Sequence, residues 1–223
     1  MTGAVWTEIA AGARAAGFDA APLRPAAGET GSGETGDEVA AVVMLGTLGP
    51  RTWAAFQASP EAEDGAPDPL DRWSRRQAQA LAKRFGGAPC LPNDGPPWAP
   101  FLRWAARAEP VWPSRLGMTL HARKGLWTSW RAALLLPVWP EGAPPPPAPV
   151  PRPCDPCAAP CLSACPVGAF AETTDGPRYD AEACAAHLRR PEGAECRDRG
   201  CLARRACPVG RAYAPTPAQG AFH

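Results

Sequence analysis

The sequence predicts a mixed α+β or α/β chain in two parts: an α/β body over residues 1–140 and a small cysteine-rich module over 154–215. Three observations lead to that division. The N-terminal stretch alternates helical periodicity with short apolar runs, as a layered body does. Residues 141–153 read Glu-Gly-Ala-Pro-Pro-Pro-Pro-Ala-Pro-Val-Pro-Arg-Pro, an extended spacer of polyproline type. Eight of the nine cysteines lie beyond that spacer. Residues 216–223 follow as a tail.

Within the body, residues 4–16 form the first expected helix, with Trp6, Ile9, Ala13 and Ala16 at roughly helical spacing and Gly17 as its stop. Phe18 to Leu23 is a strand candidate. Residues 25–37, with Gly28, Gly31, Gly33 and Gly36, read as a loop, and no Gly-Lys-Ser/Thr follows to make it a phosphate cradle. Val39 to Leu45 is a continuous apolar run, the mark of a buried strand. Thr52 to Gln57 starts a short helix that Pro60 ends. Asp68-Pro69 opens the clearest helix, a capping residue followed by proline at the first helical position. Leu70, Trp73, Gln77, Leu81 and Phe85 follow at three- and four-residue spacing, and Gly86-Gly87 stops the helix. Residues 89–113 are crowded with prolines and tryptophans, and no element is assigned there. From Leu116 to Pro137 the pattern is strand-like, with Leu134-Leu135-Leu136 as a buried strand.

The 223 residues suffice for one large domain or two modest ones. A formal net charge of +1 with both signs mixed gives no electrostatic case for nucleic-acid or membrane-surface binding. Residues 1–18 carry Glu8 and Arg14 and lack the continuous apolar stretch of a signal peptide. The longest strongly apolar run, Ala132 to Val138, is far too short to span a bilayer. A reducing cytoplasm is the expected compartment, where free thiolates are metal ligands more often than crosslinks. Thirty prolines and 22 glycines mark a loop-rich chain, while nine tryptophans argue against disorder.

The cysteines carry the chemistry. The first cluster reads Cys154-Asp-Pro-Cys157-Ala-Ala-Pro-Cys161-Leu-Ser-Ala-Cys165-Pro166-Val167-Gly168. The second places Cys184, Cys196 and Cys201 ahead of Cys207-Pro208-Val209-Gly210. A thiolate run closed by Cys-Pro is how a short loop wraps an iron–sulfur cube, and bacterial two-cluster proteins use it twice, each Cys-Pro thiolate serving the other half. On that logic Cys154, Cys157 and Cys161 hold one 4Fe–4S cluster together with Cys207, and Cys184, Cys196 and Cys201 hold a second together with Cys165. The proline turns the chain away, and the glycine after it permits a close backbone approach. The spacing departs from the bacterial pattern: three residues separate Cys157 from Cys161, and eleven, four and five separate the later cysteines. The alternative reading is zinc, which also accepts four cysteines and uses Cys-x2-Cys knuckles. Two function classes therefore stand: an iron–sulfur electron carrier or oxidoreductase, and a zinc-stabilised binding module without redox activity.

Seven arginines surround the second half: Arg189, Arg190, Arg197, Arg199, Arg204, Arg205 and Arg211. They read either as a docking face for an acidic redox partner, with charge that offsets anionic clusters, or as an ordinary solvated surface. His187 lies among these cysteines, as a surface residue or a substitute for Cys184. In the body, His121, Trp127, Trp130 and Arg131 form a dense group. They read either as a cofactor pocket, with Trp127 stacking on a planar ring and His121 or Arg131 contacting it, or as core packing with Arg131 reaching out to solvent. Cys90, between Pro89 and Leu91, reads either as a buried thiol or as a reactive one. No acid/base pair or nucleophile stands out.

With these residues placed, the chain resembles a short relative of the epoxyqueuosine reductase type of iron–sulfur protein. The resemblance rests on Cys154 to Gly168 and on Cys207 to Gly210. It extends into the body through Arg115-Leu116-Gly117-Met118-Thr119-Leu120-His121, Gly125, Trp127 and Trp130-Arg131, which is similar to a segment of cobalamin-processing, flavin-reductase-like proteins. It implies a nitroreductase-like or cobalamin-reductase-like body joined to a ferredoxin-like two-cluster module. It further implies a cobalamin or flavin near His121, Trp127 and Arg131, to which the clusters pass electrons.

Overall fold

The computed structural model describes residues 5–29 and 39–222 and divides the chain into two compact units. The first comprises Met1–Glu109 and Ser129–Ala148, the second Pro110–Thr128 and Pro149–His223. This division differs from the expected one at 1–140 and 154–215. Residues 110–128 belong with the cysteines, because Leu116, Leu120 and Leu126 are buried in the same core as Cys161 and Cys207. The start of the spacer stays with the first unit, where the amide of Trp6 donates to the Glu141 carbonyl at 2.8 Å. Ala4, at the start of the expected 4–16 helix, lies outside the described residues, as does most of the 25–37 loop, including Gly31, Gly33 and Gly36.

The elements run α1 (Trp6–Ala15), β1 (Phe18–Leu23), β2 (Ala41–Thr47), α2 (Pro50–Gln57), α3 (Pro69–Phe85), β3 (Ala88–Cys90) and α4 (Phe101–Ala108). Then come β4 (Val111–Pro113) and β5 (Thr119–His121) of the second unit, before β6 (Trp130–Leu136) returns to the first. The first unit's sheet has the order β1-β2-β6-β3, every pairing antiparallel, so the body is α+β rather than a parallel α/β sheet. Six consecutive residues of β2, Ala41 to Gly46, are buried, as a central strand covered on both faces requires. Val43 pairs with Leu134, and the register shifts between Leu45 and Gly46. At one edge, β3 carries Pro89 where its missing donor costs no ladder bond.

Helix α3 turns Trp73, Ser74, Ala78, Leu81 and Ala82 inward. Trp73 meets Phe18 with ring centroids 4.9 Å apart, inside a core that also holds Ile9, Phe56, Leu134 and Leu136. Asp68 does not cap this helix with its side chain: it is left-handed (φ 51°), and its carbonyl accepts from Asp71 and Arg72 instead. Glu61, 9% exposed, takes a two-pronged ion pair from Arg76 of α3, at 2.5 and 2.8 Å.

The second unit adds α5 (Pro160–Ser163), the hairpin β7 (Phe170–Thr173) and β8 (Gly176–Tyr179), α6 (Ala181–Leu188), α7 (Ala194–Arg199), α8 (Leu202–Arg205) and α9 (Pro217–Phe222). The expected tail 216–223 therefore contains a helix. Asp180 caps α6, accepting from the Ala183 amide at 2.9 Å. Among the described residues, no helix is long and apolar enough to cross a membrane.

Candidate metal centre

Tight turns and two very short helices position the thiols. The Cys157 amide donates to the Cys154 carbonyl at 3.2 Å, folding the first pair into one turn. Ala159 is left-handed (φ 56°), which redirects the chain into α5 and sends Cys161 into the core. From the other half, α8 ends in a turn where the Cys207 amide donates to the Arg204 carbonyl at 3.2 Å. Cys154, Cys157, Cys161 and Cys207 thereby line one cavity of about 350 Å³, counting the part continuous with solvent, together with Arg115, Leu120 and Leu126.

Electrostatics describe what this cavity wants. Burial pushes the Cys161 thiol up, and the neighbouring Cys207 and Cys154 push it further. Burial likewise raises Cys207, opposed by an N–H from Val209 and reinforced by Cys154 and Cys157. Four thiolates crowded in a partly apolar site repel one another, so a cationic centre that binds them all is the group the donor set fits.

The other cysteines gather around β8 and α8. Tyr179 has its hydroxyl pushed up to about 12, first by its hydrogen bond with Cys184, then by burial, then by the charges of Cys184, Cys201 and Cys165. Its ring stacks on Phe170 at 4.9 Å. Burial raises Cys201, its backbone bonds from Arg204 and Ala203 lower it, and Cys196 raises it. The Ala169 amide donates to the Cys165 sulfur at 3.3 Å. Cys165, Cys184 and Cys201 thus all lie near Tyr179 and pack against the same core, and Cys196 lies near Cys201. None of the nine cysteines is in a disulfide. Among the described residues, no three His, Cys, Asp or Glu side chains stand close enough to share a single metal ion.

The body's candidate pocket residues have separate settings. His121 is 3% exposed, and its Nδ1 accepts the amides of Arg123 (2.9 Å) and Lys124 (3.1 Å), pinning a tight turn. Trp127 of the same unit lies under the Arg204 guanidinium, 4.6 Å from the ring centroid. Arg131 belongs to the first unit, where it donates to Ser74 at 3.2 Å and pairs with Asp71. Trp130 donates to the buried Glu109 at 2.8 Å. Cys90 sits on edge strand β3, its thiol pushed up to about 11 by burial and by Asp94. His187 shares a face of α6 with Cys184, three residues earlier. Sequence reasoning missed Arg115 and Tyr179 at the thiol sites, since a lone arginine or tyrosine carries no spacing signal. Comparison of the chain with protein-family models and with curated proteins finds no match.

Proposed function

We propose that this chain is an iron–sulfur redox protein carrying two 4Fe–4S clusters on its second unit. Cys154, Cys157, Cys161 and Cys207 hold one, and Cys165, Cys184, Cys196 and Cys201 hold the other. The observation that carries the reading is the cavity whose four thiols come from two separate stretches of chain. The two Cys-Pro-Val-Gly endings favour a cube, which bacterial two-cluster proteins wrap in this way, over a lone zinc on four sulfurs.

When bound, each cluster supplies one-electron transfer. The chain's own residues hold it and tune its surroundings. Leu120 and Leu126 keep water from one side of the first cavity, and amides of Val209 and Ala169 donate toward the sulfurs of Cys207 and Cys165. Such bonds and burial set cluster potential. The finer reading is a cytoplasmic electron carrier or oxidoreductase of the epoxyqueuosine reductase type. It combines a nitroreductase-like or cobalamin-reductase-like body, able to hold a corrinoid or flavin, with a ferredoxin-like module facing an acidic redox partner.

The test is iron, acid-labile sulfide and zinc content per chain on protein purified without oxygen. About eight irons and eight sulfides support the proposal, and about half that limits it to one site. One or two zincs without sulfide overturn it in favour of a zinc-stabilised binding module.

A further inference from the structure

We infer that Arg115 and Arg204 are charge-compensating donors, one at each thiol site, that set how readily the site accepts an electron. The inference rests on the iron–sulfur reading and deepens it. Arg115 lines the first cavity. Its outer nitrogens are engaged, with Glu172 at 2.7 Å and the Cys154 carbonyl at 3.0 Å. Its Nε is sealed from solvent and has no acceptor. Arg204 repeats the arrangement at the second site: an outer nitrogen donates to the Leu126 carbonyl at 2.7 Å, the guanidinium covers Trp127, and Nε is again sealed without an acceptor. Its charge acts on Cys201.

A sealed donor atom without a partner costs stability even where the rest of the guanidinium reaches solvent, as that of Arg115 does. Two such donors, each beside a set of thiols, are explained by an anionic group that accepts from them. A cluster on four thiolates is such a group. Arg152 carries a third sealed Nε, but it does not line the cavity and has Asp155 at 3.5 Å as a counter-charge. Glu172 offsets part of the Arg115 charge, whereas Arg204 has no acidic partner among the described residues. The second site therefore depends more strongly on its arginine. Each site takes one electron from an external one-electron donor, and the guanidinium keeps its charge and its protons in both states.

The experiment is an anaerobic potentiometric titration with dithionite, followed by paramagnetic resonance and by iron and sulfide content, on the full chain. It compares the natural sequence with Arg115→Gln, Arg204→Gln, Arg204→Lys and, as control, the exposed Arg189→Gln. Arg204→Gln is expected to lower one midpoint so that the reduced-to-oxidised ratio at fixed potential falls about tenfold, about 59 mV for a one-electron couple. Arg115→Gln shifts the other signal by less, and Arg189→Gln shifts neither. Unchanged midpoints with full iron and sulfide in both glutamine variants overturn the inference and leave the iron–sulfur reading standing. A natural chain without iron and sulfide overturns both. If Arg204→Gln loses its cluster, Arg204→Lys decides. A retained cluster with a near-natural midpoint supports a role for charge, and loss in both variants makes Arg204 a strut for Leu126 and Trp127 and overturns the inference.

Discussion

Cys161 and Cys165 lie one helical turn apart in sequence yet have different neighbours. Cys161 feels Cys207 and Cys154, while Cys165 acts on Tyr179 alongside Cys184 and Cys201. Single and double substitutions separate these neighbourhoods. If the chain carries the two proposed clusters, Cys161→Ser and Cys207→Ser are each expected to remove about four irons per chain, and together still about four. Cys161→Ser with Cys165→Ser is expected to remove nearly all. Iron and sulfide analysis reads the result, and additive loss in the first pair would contradict a shared site. A second residue-scale expectation concerns acid. Arg76 holds the Glu61 carboxyl at about 2, well below its usual 4.5. Because the folded value is depressed, the pair's stabilisation is complete above the unfolded value and is lost as pH falls toward 2. Arg76 is 49% exposed, so the pair is worth about 1 kcal/mol. Glu61→Gln is expected to lower amide protection in α3 at pH 7 by about fivefold, and by progressively less as pH falls from 5 to 2. An equal effect at both ends of that range would show that charge is not the cause.

The two Cys-Pro-Val-Gly turns differ as elements. A β-carbon on Gly210 would stand 2.2 Å from the Lys124 backbone, and one on Gly125 would stand 2.1 Å from the Val209 carbonyl. Both glycines have positive φ, so the 121–125 turn and the Cys207 turn press backbone to backbone. Gly168 shares the positive φ, but nothing lies within 4 Å of its β-carbon position. Gly168→Ala is therefore expected to cost only about 1 kcal/mol and to leave the natural chain's iron content unchanged. Gly210→Ala forces the turns apart and is expected to lose the first site's iron. Thermal unfolding with iron analysis checks both, and equal outcomes would show that the backbone contact does not matter. Helix α3 is readable in the sequence because it is long enough to show its period, Trp73 with Leu81, and β2 and β6 because each carries an unbroken apolar run, Val39 to Leu45 and Leu134 to Leu136. Helix α4 is eight residues long and follows Pro96, Pro97 and Pro100, so Phe101, Trp104 and Ala108 look like more of the same crowded stretch. Three-residue strands β4 and β5 show no alternation at all. Cysteine spacing groups Cys154, Cys157 and Cys161 on one loop, but Arg115 reaches that loop only through the fold.

At the scale of the molecule, the two units draw their stability from different sources. The first has a conventional core of large apolar groups, including Trp73, Phe18, Phe56 and Leu134, under a four-stranded sheet. The second has a small one, in which Leu116, Leu120, Leu126 and Phe170 share their space with Cys161 and Cys207 and with the partly buried Cys154, Cys165, Cys184 and Cys201. Its helices α5 and α8 have four residues each, too short to persist without tertiary support. Thiols buried against one another are raised by burial and mutual repulsion, as at Cys161, so without a bound centre this core gains little from its cysteines. On the proposed iron–sulfur reading, cluster binding becomes folding free energy for the second unit and leaves the first nearly untouched. Treating the full chain, purified without oxygen, with a chelator under reducing conditions is expected, on that reading, to erase amide protection in α5, α8 and the β7–β8 hairpin. Protection in β2, β6 and α3 is expected to change by less than about threefold, within about 0.7 kcal/mol. Hydrogen exchange measured element by element gives the answer. Uniform loss across both units would mean that they unfold as one, and uniform retention would mean that the second core stands without its metal.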